Sequence, residues 1–313
     1  MTVTVLVPSF RRSASLIACL DATLAGSRLP EQIVVALRDT DEESHQALDQ
    51  WREQAGDHAA RIEPAEVTEP GQAAATNAAL ALARGDVVCF IDDDCRPTTQ
   101  WLARIISHYE DASVVGVGGR DIVHHGETIS ARPAGPVGRV TWYGRVVGNH
   151  HQPVGDEPRE VQHLKGVNMS FRRNAVAGFD RNLMGAHLSD TNVSLVAGAT
   201  GRIIYDPLAA VDHYPAPRPH GFARASVSPE QVFADAHDWA YVMLGYLSPT
   251  GRAGFWAYAL LVGQDRRLGF LKALLALPRG PRATLQAWGV TMRGLSAGCA
   301  DRRTANAMEV TPC

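Results

Sequence analysis

The first 110 residues alternate between short apolar segments and longer segments in which apolar positions recur at helical spacing. Four short segments predict strands, at residues 3–7, 32–37, 61–67 and 87–91. The segments at residues 3–7, 32–37 and 87–91 are largely apolar, which is typical of strands covered on both faces, and helical segments lie between the strands. This repetition predicts a parallel α/β sheet, in which ligands bind at the carboxyl ends of the strands.

Beyond a further predicted strand at residues 114–121, the pattern weakens and an irregular stretch runs over residues 124–162. Regular elements return at residue 166, and from Pro229 onward the chain is predicted to be helical, with breaks at prolines. We therefore predict one α/β domain over residues 1–228 and a helical C-terminal extension over residues 229–313.

Composition and charge exclude several classes of protein. Of the 313 residues, 45% are apolar and 20% are charged, as is usual for globular proteins, and the net charge of −3 argues against a nucleic-acid binder. The five cysteines form no Cys-x-x-Cys pair, so neither a zinc knuckle nor a disulfide framework is predicted, and we expect a cytoplasmic protein. No glycine-rich phosphate loop follows the first strand, which argues against dinucleotide-binding, P-loop and nucleotidyltransferase proteins.

An acidic triplet is the most informative chemical feature. Asp92, Asp93 and Asp94 follow directly after the apolar segment at residues 87–91. Three adjacent carboxylates at the end of a buried strand repel one another, and a divalent cation would remove that repulsion. The triplet therefore predicts a Mg²⁺ or Mn²⁺ site; the alternative is a solvated acidic turn that caps the next helix.

Five segments, in order along the chain, give it a close resemblance to the family 2 glycosyltransferases, which are inverting enzymes of the GT-A fold. They cover residues 5–12, 71–77, 85–94, 166–180 and 211–213. The resemblance implies a mixed, mainly parallel sheet flanked by helices, with a nucleotide-binding half at residues 1–110 and an acceptor half at residues 111–228. It also implies a nucleoside-diphosphate sugar as donor and a hydroxyl group of a glycan or lipid-linked molecule as acceptor, in the synthesis of a surface polysaccharide or glycolipid.

Site residues follow from the same resemblance. Asp92 would contact the ribose of the nucleotide, and Asp94 and His213 would bind the metal ion, Mn²⁺ or Mg²⁺. A structural histidine is the alternative for His213. The remaining residues expected to contact the nucleotide are Pro8, Ser9, Phe10, Arg11, Asp39, Asn77 and Asp93. Many relatives carry paired aspartates after the second strand, whereas this chain has Arg38-Asp39 there.

The resemblance also implies a carboxylate base that deprotonates the acceptor, and Asp190 is the candidate. Family members usually have further acidic residues in this turn, but here Thr191 and Asn192 follow. Aspartate also favours helix N-caps, so a simple cap is the alternative role. The missing acid is the one feature that favours a different hypothesis, a catalytically degenerate scaffold or binding protein.

The C-terminal extension carries a concentration of positive charge. Residues 252–303 contain nine Arg and Lys residues and two Asp residues, a net charge of +7, which leaves −10 for the rest of the chain. Aromatic and apolar residues lie between the basic ones, a pattern of helices that lie at a membrane surface. Peripheral membrane contact is one hypothesis; packing on the catalytic domain or in a dimer interface is the other.

Overall fold

The sheet predicted from the apolar segments is present and is mixed. The computed structural model describes residues 1–125, 128–129, 135–185, 187–215, 228–264 and 266–309. Ten strands of the described chain form the sheet: β1 (Val3–Ser9), β2 (Gln32–Arg38), β3 (Ile62–Val67), β4 (Val87–Ile91), β5 (Cys95–Pro97), β6 (Val114–His125), β7 (Thr128–Ile129), β10 (Arg159–Val161), β11 (Asn168–Arg172) and β12 (Arg202–His213). Eight of them lie in the order β10-β12-β6-β11-β4-β1-β2-β3, while β5 pairs with β12 and β7 with β6.

Strands β1 to β4 are parallel, as their apolar sequences predict. The sheet changes direction at β11, which is antiparallel to both β4 and β6. The prediction of a mainly parallel sheet with mixed character is confirmed. All four of the early strands therefore have their carboxyl ends at one edge, where the acidic triplet begins.

Helices cover both faces of this sheet. The side chains of β1 alternate between two cores: Val5 packs with residues of α1 (Ser13–Leu24) and α4 (Trp101–His108), and Leu6 packs with residues of α3 (Gln72–Leu82). Helix α2 (Glu42–Gln54) adds Leu48 to the first core. This two-sided burial is the physical reason for the apolar sequences of the strands.

Strand β12 is longer than the sequence pattern predicts. The apolar residues 203–205 suggest only a short strand, but β12 continues from Arg202 to His213, with a register shift between Asp206 and Val211 against β6. Such an irregularity lets a strand bend and redirect its side chains. The second part of β12 pairs with β5, so that His213 lies opposite Cys95.

The chain divides into two compact units. The first comprises residues 1–139, 147–179 and 193–220, and the second comprises residues 140–146, 180–192 and 221–313. Both units are discontinuous in sequence, whereas the predicted boundary at residue 228 is a single point next to residues 216–227, which lie outside the described part. The functional division at residues 110 and 228 stays a prediction.

Helices dominate the second unit, as predicted from Pro229 onward. Helix α6 begins at a capping box formed by Ser228 and Gln231, and a serine also caps the start of α7. A two-stranded hairpin of β13 and β14 separates α7 from α8. The elements are α6 (Pro229–Tyr246), α7 (Pro249–Leu261), β13 (Gly263–Gln264), β14 (Arg267–Leu268), α8 (Phe270–Ala276) and α9 (Pro281–Glu309).

Two further short strands are β8 (Arg139–Val140) and β9 (Val146–Val147), and one further helix is α5 (Ser189–Gly198). Among the described residues, no helix is both long enough and apolar enough to cross a membrane. Cys19, Cys89, Cys95 and Cys299 are free thiols, and Cys313 lies outside the described part.

Candidate active site

The first unit brings polar side chains together where β1 and β4 end. These strands are parallel neighbours, so the residues that follow them leave the sheet at the same edge. The Ser9 hydroxyl donates to Asp93 Oδ2 at 2.7 Å, and Arg12 Nη1 lies 2.9 Å from Asp93 Oδ1. Asp93 is only 3% exposed, so these two partners stabilise a buried carboxylate.

A second chain of polar contacts runs from Asp94 through His213 to Asp121. His213 Nε2 lies 3.4 Å from Asp94 Oδ1, and its Nδ1 lies 2.9 Å from Asp121 Oδ1. The other oxygen of Asp121 accepts a hydrogen bond from Lys165 Nζ. Strand β12 supplies His213 and the adjacent β6 supplies Asp121, so the sheet itself holds the imidazole between two carboxylates.

These contacts change the protonation of His213. Burial alone would lower the pKa of the imidazole, but hydrogen bonds to Asp121 and Asp94 outweigh burial and raise the pKa to about 9. Burial would likewise raise the pKa of Asp121, yet the hydrogen bond from His213 and the charge of Lys165 bring it below its ordinary value. The group is therefore a charged cluster in which each buried charge has a partner.

The arrangement fits a divalent cation. Ligand atoms of Asp94, Cys95 and His213 lie within 4.8 Å of one another. Mg²⁺ and Mn²⁺ prefer oxygen ligands, so the thiol of Cys95 is a poor ligand for them. The oxygen of Asp94 and Nε2 of His213 remain. The imidazole would bind a cation in its neutral form, with release of its proton, and Asp121 fixes the ring from the other nitrogen.

The pKa of Asp92 is raised by its surroundings. Burial, followed by repulsion from Asp94 and Asp93, raises the pKa of its carboxyl to about 7. The pKa of Asp93 is also raised by burial, although Arg12 and Ser9 oppose the change. Raised pKa values of Asp92 and Asp93 at the end of a buried strand depart from a solvated turn, the alternative that the sequence left open.

The other residues predicted for the nucleotide are spread over several loops of the first unit. Arg11 has a left-handed backbone (φ 54°), and its amide donates to Asp41 Oδ2 at 2.5 Å. Asp39 follows β2 and is exposed, with Arg38 Nε 3.4 Å from its carboxylate. Asn77 exchanges two hydrogen bonds with the backbone of Phe179. Pro8 and Phe10 are half-buried beside Ser9, and the nucleotide-binding roles of all these residues stay predictions.

Asp190 belongs to the second unit. It is the second residue of α5, whose first residue is Ser189, and its Oδ1 accepts a hydrogen bond from the Thr191 amide at 2.7 Å. Asp190 therefore lies inside the first helical turn rather than at the N-cap position that the sequence offered as its alternative role. Its assignment as the base stays a prediction.

The loop before α5 is held by a buried carboxylate. Asp238 of α6 accepts hydrogen bonds from the amides of Met184 (2.9 Å) and Gly185 (2.7 Å), and it is 2% exposed. His237 Nδ1 lies 2.8 Å from Asp238 Oδ1, and the opposite ring nitrogen lies 3.0 Å from Asp301 Oδ2. This arrangement fixes the backbone that leads into the helix carrying Asp190.

Sequence reasoning missed two residues of the site. Asp121 ends the predicted strand at residues 114–121, and its position at a strand end next to β12 could have indicated its role. Arg12 was quoted only as part of a motif, yet it pairs with both Asp93 and Asp94. Lys165, which pairs with Asp121, lies before β11 and has no signal in the sequence. For Asp121 and Arg12 the signal is a charged side chain at, or shortly after, the end of a predicted strand.

The similarity of this chain to known proteins agrees with the geometry of the site. The sequence model of the glycosyl transferase family 2 matches residues 4–179. A protein named glucosyl-dolichyl phosphate glucuronosyltransferase from Haloferax volcanii is 25% identical over 224 residues, which are 68% of this chain and 68% of that protein.

Solved structures with the same fold include nucleotide-sugar enzymes. The mannosyltransferase PcManGT from Pyrobaculum calidifontis, in complex with GDP-Man and Mn²⁺, has a TM-score of 0.57 at 18% identity and covers 99% of this chain and 88% of its own. TarS residues 1–349 from S. aureus, in complex with UDP-GlcNAc, has a TM-score of 0.59 at 14% identity, with 97% and 92% coverage. These likenesses confirm the predicted GT-A fold.

Proposed function

This chain belongs to the family 2 glycosyltransferases, and from that membership and the site geometry we propose that it transfers a sugar, with inversion, from a nucleoside-diphosphate sugar to a hydroxyl acceptor. The observation that carries the proposal is the buried pair of Asp94 and His213, 3.4 Å apart and anchored through Asp121. Asp93 and Asp94 are buried side by side, and a divalent cation at this position would offset the repulsion between their carboxylates.

Asp94 and His213 are the residues that would hold Mn²⁺ or Mg²⁺. When bound, the cation supplies Lewis-acid stabilisation of the negative charge that develops on the leaving diphosphate. Asp121 keeps the His213 ring in place through Nδ1, so that Nε2 faces Asp94. Arg12 and Ser9 hold Asp93 at the same edge of the sheet, and Asp92 would accept a hydrogen bond from the ribose.

Inversion requires a base that receives the proton of the acceptor hydroxyl. In our proposal Asp190 takes this proton while the acceptor oxygen forms its bond to the anomeric carbon and the bond from that carbon to the diphosphate breaks. The clamp of Asp238 on the Met184 and Gly185 amides would keep the loop before α5 in one conformation. Asp180 is unsuited to the role of base because the Tyr241 hydroxyl and the Asn182 amide already donate to it.

The donor and acceptor are proposed from the relatives. The Pyrobaculum calidifontis enzyme is described with GDP-Man and Mn²⁺, which supports a nucleoside-diphosphate sugar and a divalent metal. The Haloferax volcanii protein is named for a dolichyl-phosphate substrate, which supports a lipid-linked acceptor over a free glycan. We propose a role in the synthesis of a surface polysaccharide or glycolipid.

The decisive experiment is calorimetric binding of UDP, GDP, dTDP and CDP to the full chain, with and without Mn²⁺ or Mg²⁺. We expect one diphosphate to bind in a metal-dependent way, and Asp94→Ala to weaken that binding by at least about a hundredfold. The matched control is Asp206→Asn, since Asp206 is another buried carboxylate (1% exposed) paired with a histidine, His108, at 2.9 Å. Unchanged metal-dependent binding in Asp94→Ala would refute the metal assignment.

A second experiment separates catalysis from binding. We expect Asp190→Asn to retain metal-dependent nucleotide binding but to lower the rate of sugar transfer by at least about a hundredfold, because it removes the proton acceptor. Asp180→Asn, which alters the neighbouring turn, should retain most of the transfer rate. Nucleotide binding by the unmodified protein without transfer to lipid-linked or glycan acceptors would favour the catalytically degenerate scaffold.

A further inference from the structure

A cluster of large apolar side chains lies exposed on the second unit. It comprises the end of α7 and the outer face of α8, and we call it the apolar patch: Leu260, Leu261, Phe270, Leu271, Leu274 and Leu275. Their exposed fractions run from 43% to 72%, the highest being that of Leu275. The Gly269 amide donates to the Val262 carbonyl at 3.2 Å, which places the start of α8 beside the end of α7.

Helix α8 is amphipathic, but its large apolar side chains face outward. Phe270, Leu271, Leu274 and Leu275 follow the i, i+1, i+4, i+5 spacing that places side chains on one side of a helix, and all four are exposed. The buried side of the helix is provided by Ala273, which is 5% exposed. A helix that simply packs on its own domain turns its large apolar residues inward, so the outward face of α8 is available for a partner.

The sequence around α8 carries a positive charge. Residues 265–301 contain six Arg and Lys residues and, at the two ends, Asp265 and Asp301, a net charge of +4. Arg266 lies in the hairpin before α8, and Lys272 lies within the helix, where its Nζ is 3.4 Å from the Gly263 carbonyl. On α9, Arg282 and Arg293 are exposed and share one side of the helix with the exposed Leu285.

We propose that the apolar patch and these cations bind the surface of an anionic phospholipid bilayer. The leucine and phenylalanine side chains would enter the boundary between headgroups and acyl chains, and the Arg and Lys side chains would contact the lipid phosphates. Charge favours this occupant over a second copy of the chain, because a symmetric pair would place two positive surfaces against each other. The inference goes beyond the proposed function and depends on none of its steps.

Vesicle sedimentation with the full chain tests this proposal. We expect the protein to sediment with vesicles of phosphatidylcholine that contain roughly a third phosphatidylglycerol, and to bind pure phosphatidylcholine at least about tenfold more weakly. The Leu274→Glu/Leu275→Glu variant should lose at least about tenfold in binding, because it places charge where the acyl boundary would be. The matched control is Val196→Glu/Leu208→Glu, two exposed apolar positions outside the patch, which should bind like the original protein.

A second variant keeps the test valid if the glutamate variant misfolds. Arg282→Gln/Arg293→Gln leaves the apolar patch intact and should lower binding to anionic vesicles by at least about fivefold, with no change for phosphatidylcholine alone. Equal binding by the patch and control variants, or no binding to any vesicle, would overturn the proposal. So would light scattering that finds a dimer dissociated by Leu274→Glu/Leu275→Glu, since the patch would then be a subunit interface.

Nucleotide and metal are absent from this assay, so its outcome is separate from that of the calorimetric test. A protein that binds vesicles but no nucleoside diphosphate would contradict the proposed function alone. A protein that binds a nucleoside diphosphate but no vesicle would contradict the patch proposal alone.

Discussion

The strand-end site of the first unit and the apolar patch of the second unit reverse the usual rule of burial. In the site, charged groups are inside: Asp93 is 3% exposed and Asp121 0% exposed. In the patch, leucines are outside, and Leu275 is 72% exposed. Buried charges and large exposed apolar groups are both uncommon, and each calls for an explanation.

The two regions differ in where the partner of each side chain lies. Asp93 has Ser9 and Arg12, and Asp121 has His213 and Lys165, all within the same unit. In the patch, Ala273 of α8 is buried, whereas the leucines of the same helix are exposed. Burial thus follows the availability of a partner rather than hydropathy alone.

Removing a partner from the site should have the largest effect. Asp121→Asn retains the shape of the side chain but removes the charge that holds His213 Nδ1 and Lys165. We expect the affinity for Mn²⁺ in the presence of the cognate nucleoside diphosphate to fall by about 10- to 100-fold, as for other residues that orient metal ligands. Calorimetry provides the measurement. Asp111→Asn, at an exposed aspartate paired with Arg202, is the control and should leave the affinity unchanged.

Helix packing in the second unit should respond to a single methyl group. A Cβ at Gly298 of α9 would lie 2.1 Å from the His237 carbonyl oxygen of α6, whereas a Cβ at Gly289 would meet nothing within 4 Å. We expect Gly298→Ala to destabilise the protein by about 1–3 kcal/mol through overpacking. Gly289→Ala should stabilise it by up to about 1 kcal/mol through helix propensity. Urea unfolding measures both, and equal effects of the two variants would contradict the close approach of α6 and α9.

Buried titratable groups of the first unit should make its stability sensitive to acid. His150 is 3% exposed, and burial, followed by repulsion from His163, lowers its pKa to about 3. The unfolded chain binds this proton near the ordinary pKa of about 6.5. The stabilisation from neutral His150 is therefore present above that value and is lost as the pH falls toward 3.

For His150 we expect a loss of at most about 2 kcal/mol between pH 7 and pH 5, measured by urea unfolding. The His150→Gln variant should lack this component of the pH dependence, because glutamine does not titrate. An identical pH dependence in the two proteins would show that the imidazole contributes nothing to acid sensitivity.

Charge introduced into the patch should have the smallest effect on stability. The side chains of Leu274 and Leu275 are already in water, so Leu274→Glu/Leu275→Glu should change the free energy of unfolding by less than about 0.5 kcal/mol. Urea unfolding without lipid provides the measurement. A loss of several kcal/mol would mean that these leucines are packed in solution, and the contrast between the two regions would disappear.

Much of the fold could be predicted because its signals are local. The apolar segments at residues 3–7, 32–37 and 87–91 became the parallel strands β1, β2 and β4. The predicted start of the helical region at Pro229 is the first residue of α6, and Pro249, one of the proline breaks, is the first residue of α7. The acidic triplet and the family motifs together indicated the family and the GT-A fold, and comparison with known proteins confirms both.

The site could be predicted only where its residues follow a recognisable motif. Asp94 and His213 were named from the resemblance, but Asp121 and Lys165 lie in β6 and before β11 without a motif of their own. Their roles depend on the pairing of β6 with β12, a contact between residues about ninety positions apart. Similarly, Asn77 and Phe179 exchange hydrogen bonds across about a hundred residues.

Local sequence signals were enough to predict strands β1 to β4, the helical region from Pro229, the acidic end of β4 and the concentration of positive charge near the C-terminus. These depend on side-chain period, capping and composition, which act over a few neighbouring residues. Only the tertiary structure decided that His213 lies between Asp94 and Asp121, and that Ala273 rather than Leu275 faces inward on α8. Strand pairing and helix packing join residues that are far apart in the chain, so local signals do not predict them. Periodicity indicates that a helix has an apolar face, but it does not show whether another part of the protein covers that face.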